Sequence, residues 1–200
     1  SQMGLEMLGA VGEAQVQQAV RLAAQSLAQL GAAWVLEVSH MGYLFGLFDA
    51  LGVPENARPG LLEKLREKNA HELRRAAQAA GLDAAGAAAL TGLLELSGSC
   101  EETLAKAERA CRNDRMRAAA AELRALAKTL EASGGAVRLD LSLAGEMEYY
   151  NGLVFQGYLQ GLPRPLLKGG RYDLLMQKFT PGAGAIGFAV YLDELDRLSA

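Results

Sequence analysis

The sequence has 200 residues, of which half are apolar and 22% are charged, with a formal net charge of −3 and a pI near 5.5. This balance is typical of a globular protein and argues against a disordered chain. The slightly acidic charge gives no reason to expect a nucleic-acid partner, because such partners normally meet a concentrated basic face. No apolar run is long enough to cross a bilayer and no secretory signal opens the chain, so we expect a cytoplasmic protein without membrane contacts.

The first part of the chain, residues 1–53, is predicted to form a helix, a strand and a second helix. Apolar residues at helical spacing predict an amphipathic helix at about 12–30. The β-prone stretch 33–39 predicts a strand, in which Trp34 is a core residue, and an apolar helix is predicted at 41–51. The opening residues resemble the middle of a domain, so we expect this sequence to be part of a longer protein.

Residues 54–134 differ in character, because alanine, leucine and charged residues dominate and strand formers are scarce. The stretch 97–99 is predicted as a break between helices. No fixed repeat period is present, and we interpret the segment as an all-helical insertion. Four helices are predicted in it, at 61–80, 84–96, 101–112 and 114–130.

Residues 135–200 return to strand patterns. Apolar residues alternate with polar ones from Val137 to Leu143, which predicts a strand with one buried face. Further elements are predicted as strands at 153–159 and 185–190 and as short helices at 174–179 and 191–198. Strands on both sides of a helical insertion predict an α+β fold with a mostly antiparallel sheet.

Three segments of this last part together indicate a binding pocket: the tyrosine pair at 149–150, the Lys-Gly-Gly-Arg-Tyr-Asp run at 168–173 and the small-residue stretch 184–190. Tyrosine rings and phenols suit a flat polar ligand, and glycines let the backbone approach it closely. In an extended chain Tyr149 and Tyr150 point to opposite faces, and we favour Tyr150 as the ligand contact.

These segments resemble the catalytic core of histidyl-tRNA synthetases, a class II aminoacyl-tRNA synthetase family. The resemblance covers nearly the whole chain and implies a class II synthetase-like antiparallel sheet core. Four stretches carry it: Gln2-Met-Gly-Leu-Glu6, similar to the segment after the family's second motif; Glu148-Tyr-Tyr-Asn151 and Gly169-Gly-Arg-Tyr-Asp173, similar to its two histidine signatures; and 184–195, in the place of its third motif.

The resemblance implies a histidine-binding site. Its residues are Gln2, Glu6, Tyr149, Tyr150, Gly169, Gly170, Arg171 and Tyr172. Spacing alone favours an ordinary polar residue before a helix for Glu6, and the resemblance brings the binding role level with that alternative. Gln2 shares the alternative. Arg171 either binds the ligand carboxylate or forms a salt bridge with Asp173, whose own expected role is the N-cap of the following short helix.

Two departures from the family pattern argue against synthetase activity. Gly145 and Glu194 occupy positions at which the family carries arginines that act on ATP. Adenylate formation concentrates negative charge on phosphates and needs preorganised cations, and losing one such group commonly costs about a hundredfold to a thousandfold in rate.

With a histidine pocket but without the activating cations, the sequence resembles the regulatory-subunit family of ATP phosphoribosyltransferase. That similarity implies assembly with the short-form catalytic subunit in a hetero-oligomer with self-association, support of its activity, and histidine as a feedback effector. Two alternatives remain: an active, divergent histidyl-tRNA synthetase with substitute cations, and a purely structural activator with a vestigial pocket.

No other motif indicates chemistry. Cys100 and Cys111 lack metal-ligand spacing and are expected to be free thiols, so neither a metal nor a cofactor is predicted. His40 and His71 stand outside any recognisable catalytic motif, which favours core or surface positions. The sequence has no glycine-rich loop between a strand and a helix, so no nucleotide site is predicted.

Overall fold

The computed structural model describes residues 1–130, 136–144, 150–195 and 197. The strands are β1 (Gln2–Gly9), β2 (Trp34–His40), β3 (Ser97–Ser99), β4 (Ala136–Asp140), β5 (Leu153–Leu159), β6 (Leu167–Arg171) and β7 (Gly184–Tyr191). The helices are α1 (Glu13–Ala28), α2 (Met41–Ala50), α3 (Arg58–Arg66), α4 (Ala70–Ala79), α5 (Ala84–Thr91), α6 (Cys100–Ala110), α7 (Asp114–Leu130), α8 (Asp173–Met176) and α9 (Leu192–Leu195). Short 3₁₀ turns cover Glu55–Ala57 and Gly92–Glu95.

The described strands form one sheet in the order β1-β7-β6-β5-β2-β4-β3. The pair β2–β4 is parallel, and every other neighbouring pair is antiparallel. The predicted α+β class with a mostly antiparallel sheet is therefore confirmed. Among the described residues, none of the helices combines the length and apolar character that crossing a membrane requires.

Helix α1 covers one face of this sheet. Its apolar residues recur at helical spacing and are buried, from Val16 to Leu27. The Leu27 side chain packs directly on β5, because a methyl group added to Gly157 would lie 2.7 Å from it. The opposite face of β1, β7, β6 and β5 is left for the candidate site.

The helical segment differs from the prediction in two places. The helix predicted at 61–80 is two helices, because Lys68 adopts a left-handed φ of 52° and its Nζ reaches the buried Asp140 carboxylate at 2.5 Å. Asn69 then caps α4 by accepting the Glu72 amide hydrogen at 3.1 Å. The predicted break at 97–99 is strand β3, which pairs with the edge of β4, so the segment is not wholly helical.

Two strands beside the candidate site were not predicted. No element is predicted for residues 2–9, although Gln2, Gly4 and Glu6 alternate with Met3, Leu5 and Met7. No strand is predicted at the Gly-Gly run of β6 either. Its glycines are strand residues because the main chain of β6 pairs on both sides, with β5 and with β7.

Candidate functional site

A cavity of about 360 Å³ lies on the sheet face that α1 leaves uncovered. Alternate residues of β1, β7, β6 and β5 form its floor, since side chains two apart on a strand share a face. Residues after the strands complete its walls. Its polar lining residues are Gln2, Glu6, Tyr150, Gln156, Lys168, Tyr172 and Tyr191.

Two glycines make room for the functional side chains. A methyl group on Gly187 would collide with the Glu6 carboxylate, so the absence of a side chain there lets Glu6 lie across β7. A methyl group on Gly170 would lie 2.6 Å from the Tyr150 ring and 2.7 Å from the Leu153 carbonyl oxygen. Gly170 therefore contributes to the site by allowing Tyr150 to pack on the strand.

The two described tyrosines of the predicted site meet at one wall of the cavity. The Tyr150 and Tyr172 rings are 6.4 Å apart and tilted by 75°, an edge-to-face arrangement. Asn151 joins the two segments. Its backbone N–H donates to the Arg171 carbonyl oxygen at 3.2 Å. Its side-chain oxygen accepts the Asp173 amide hydrogen at 3.0 Å. Asn151, which follows Tyr150, is thus hydrogen-bonded to Arg171 and Asp173, the two neighbours of Tyr172 in the chain.

Glu6 supplies a carboxylate on the opposite side of the floor. The residue as a whole is exposed on the edge strand β1. One of its carboxylate oxygens nevertheless lies against Gly187, and this partial burial raises the pKa of the Glu6 carboxyl group. A group with these properties favours a ligand that brings a positive charge or hydrogen-bond donors.

Arg171 points away from the cavity. Its Nε donates to the Asp173 carboxylate at 2.7 Å and its Nη2 to the Val11 carbonyl oxygen at 3.1 Å, on the α1 face of the sheet. Of the two predicted roles for Arg171, the salt bridge is the one the structure contains. The N-cap prediction for Asp173 is wrong, because Tyr172 holds the cap position of α8 and the Asp173 carboxylate accepts the Ala185 amide hydrogen at 2.9 Å.

His40 lies on the same α1 face and has a structural role. The Gly42 amide donates to its Nδ1 at 3.0 Å, which leaves the proton on Nε2, 2.9 Å from the Glu122 carboxylate. This hydrogen bond lowers the pKa of Glu122, and the nearby Arg171 charge acts in the same direction. His40 is 7% exposed, so a core position is confirmed, and His71 is on the surface.

The cavity thus brings together five of the predicted residues, Gln2, Glu6, Tyr150, Gly169 and Tyr172. Gly170 packs beneath Tyr150. Arg171 does not line the cavity, and Tyr149 and Gly145 lie outside the described residues. Sequence reasoning missed four polar residues that line or brace the site: Asn151, Gln156, Lys168 and Tyr191. Gln156 and Lys168 could have been found from strand alternation, because residues two apart on a strand lie on the same face.

A family model described as histidyl-tRNA synthetase matches residues 1–195. The chain belongs to the histidyl-tRNA synthetase family. Within this family it is similar to proteins named ATP phosphoribosyltransferase regulatory subunit. The relative from Shouchella clausii is 37% identical over 200 residues, which cover 98% of this chain and 50% of that protein. The one from Desulfitobacterium hafniense is 32% identical, over 96% of this chain and 50% of that protein.

Solved structures give the same relationship. A Bacillus halodurans protein described as an ATP phosphoribosyltransferase regulatory subunit/histidyl-tRNA synthetase matches with a TM-score of 0.86 and 32% identity, over 96% of this chain and 51% of that one. Histidyl-tRNA synthetase from Nostoc, at 18% identity and a TM-score of 0.77, covers 99% of this chain and 49% of that one and shows the shared fold. The chain spans about half the length of the curated relatives it matches.

Proposed function

We propose that this chain is part of a non-catalytic regulatory subunit of ATP phosphoribosyltransferase, acting in the cytoplasm in histidine biosynthesis. The subunit assembles with the short-form catalytic subunit in a hetero-oligomer, supports its activity and senses histidine. The observation that carries the proposal is the cavity lined by Tyr150, Tyr172 and Glu6, in a chain whose 32–37% identical relatives are named regulatory subunits.

Histidine binding is the central step of this proposal. The imidazole ring lies against Tyr150 and Tyr172, whose phenols and ring edges suit a flat polar group. Glu6 and Gln2 meet the donor groups of the ligand. Strand β6 is held by its two neighbouring strands, so we expect histidine to alter the segment that follows Tyr172 rather than β6 itself. Coupling of this kind is typically worth about 1–3 kcal/mol.

The charges near the site support a regulatory rather than a catalytic role. Glu194, at the position of a nucleotide-binding arginine in the family pattern, pairs with Arg197 at 3.0 Å. Among the described residues that line the cavity, Lys168 alone is cationic. A site for adenylate formation needs several preorganised cations around the phosphates, and a second arginine position is occupied by Gly145.

Calorimetry of the intact protein with histidine, with and without the catalytic subunit, tests the proposal. We expect heat of binding together with stimulation of phosphoribosyltransferase activity that histidine reverses. The absence of heat in both conditions would remove the sensing role. Stimulation that survives Tyr150→Ala and Tyr172→Ala, including its reversal by histidine, would also contradict this site.

The family itself supports a second candidate, a divergent histidyl-tRNA synthetase. That function predicts histidine-dependent exchange of pyrophosphate into ATP by the intact protein. We expect that histidine does not raise the exchange above the background rate measured in its absence. Measurable exchange would replace the regulatory proposal with the synthetase.

A further inference from the structure

The charged side chains that line the cavity in the described part of the chain belong to different strands. Among the described residues that line it, Glu6 and Lys168 are the charged ones. The other polar groups are the amides of two glutamines and the phenols of three tyrosines. The described part of the lining therefore contains one negative group, one positive group and several neutral hydrogen-bonding groups.

Glu6 and Lys168 lie on opposite sides of the cavity floor. Glu6 is on β1, opposite Gly187 of β7, and Lys168 is on β6, opposite Ala189 of β7. Strand β7 separates them, so two strand spacings of about 4.8 Å each lie between their main chains. The floor positions of β7 between them are Gly187 and Ala189, whose small size leaves room above the strand, and the Glu6 carboxylate reaches over Gly187.

A carboxylate on β1 and a lysine on β6 of the same cavity match a ligand that carries both a carboxylate and a group with donors or positive charge. The sequence predicted Arg171 as the cation that could bind the carboxylate, but its guanidinium lies on the opposite sheet face, paired with Asp173 at 2.7 Å. Lys168 is three positions before Arg171 on the same strand, so the two side chains lie on opposite faces and that of Lys168 is on the cavity side. A lysine ammonium binds a carboxylate through charge-assisted hydrogen bonds.

We propose that Lys168 binds the α-carboxylate of the ligand and makes the cavity specific for a free amino acid over its decarboxylated form. This inference rests on the proposed histidine site and adds a specificity-determining residue to it. If Lys168 and the ligand carboxylate interact, removing either one abolishes the same interaction. Removing both then costs little more than removing one.

The test is calorimetry of the intact protein with L-histidine and with histamine, which lacks the carboxylate. We expect the wild type to bind histidine about tenfold or more tightly than histamine. Lys168→Met should lower histidine affinity by a similar factor and leave histamine affinity unchanged. Lys168→Arg keeps the positive charge and should retain most of the preference for histidine.

Lys178→Met is the matched control, because Lys178 is an exposed lysine outside the cavity lining. It should change neither affinity. Thermal unfolding establishes that each variant is folded, and Lys168→Gln replaces the methionine variant if the latter is not.

Two results would overturn the proposal in distinguishable ways. An unchanged preference for histidine in Lys168→Met, or an equal loss for both ligands, removes the role of Lys168 while the histidine site stands. A wild-type protein that binds neither ligand overturns the histidine site and the lysine together.

Discussion

The segment from Lys168 to Asp173 sends side chains to both faces of the sheet, and the two faces treat polar groups differently. On the α1 face, Arg171 and Asp173 satisfy each other and nearby backbone groups at 2.7–3.1 Å. On the other face, Lys168 and Tyr172 line a cavity. A polar residue within a recognisable motif is therefore not always a ligand contact. The face on which it stands decides between bracing the fold and binding.

The largest effect that distinguishes the faces is expected from Asp173→Ala. It leaves the Arg171 guanidinium and the Ala185 amide without their carboxylate partner, which should lower the free energy of unfolding by about 2–4 kcal/mol. Urea denaturation measures the change. Asp114→Ala removes an ion pair whose aspartate side chain is 99% exposed and should cost under about 1 kcal/mol. Equal losses in the two variants would contradict the bracing role of the α1 face.

Gly170→Ala acts from the cavity side. The added methyl group would lie 2.6 Å from the Tyr150 ring, so the ring must move out of its edge-to-face position. We expect histidine affinity to fall roughly thirtyfold to a hundredfold, as measured by calorimetry. Gly60→Ala is the control, since nothing surrounds that position in helix α3, and it should leave affinity unchanged. Retained affinity in Gly170→Ala would exclude Tyr150 as a ligand contact.

Asn151→Ala tests whether the link between the two tyrosine segments matters for binding. Loss of the 3.0 Å hydrogen bond to the Asp173 amide should reduce histidine affinity about threefold to tenfold and stability by about 1 kcal/mol. Asn69→Ala removes a comparable side-chain acceptor at the start of α4 and should cost similar stability without affecting affinity. A loss of affinity in both variants would mean that general destabilisation is responsible.

The smallest expected effect concerns the stability contribution of Glu6. Burial raises its folded-state pKa, so protonation of Glu6 favours the fold. This contribution is complete below the unfolded-state pKa and is lost as the pH rises through the folded-state value. Glu6→Gln should therefore be slightly more stable than the wild type at neutral pH, within about 0.5 kcal/mol because solvent screens an exposed carboxylate. The difference should disappear in acid.

Thermal unfolding between pH 4 and pH 7 measures this difference. The same substitution should weaken histidine binding at neutral pH, because the ligand then loses its carboxylate partner. A variant that is less stable than the wild type at pH 7 would indicate that the Glu6 carboxylate has a stabilising partner in the folded protein.

Much of the site was predictable because its residues are close in sequence. Tyr150, Tyr172 and the two glycines lie within about twenty residues of one another, and Glu6 was placed by the family resemblance. Arg171, predicted either to bind the ligand carboxylate or to pair with Asp173, forms the ion pair on the α1 face, whereas Lys168 lines the cavity. Strand alternation separates them only after 168–171 is known to be a strand.

Local signals were sufficient to predict the class of the fold, its main helices and the tyrosine-rich pocket segments, because apolar periodicity and turn residues can be recognised within a short stretch of chain. Contacts between distant parts of the chain make 97–99 a strand, divide a predicted helix at Lys68 and let Asp173 brace β7 instead of capping α8. Each of these depends on a partner distant in the chain. Strand edges, ion pairs and hydrogen bonds of that kind override local propensity, and local propensity is all that a single sequence displays.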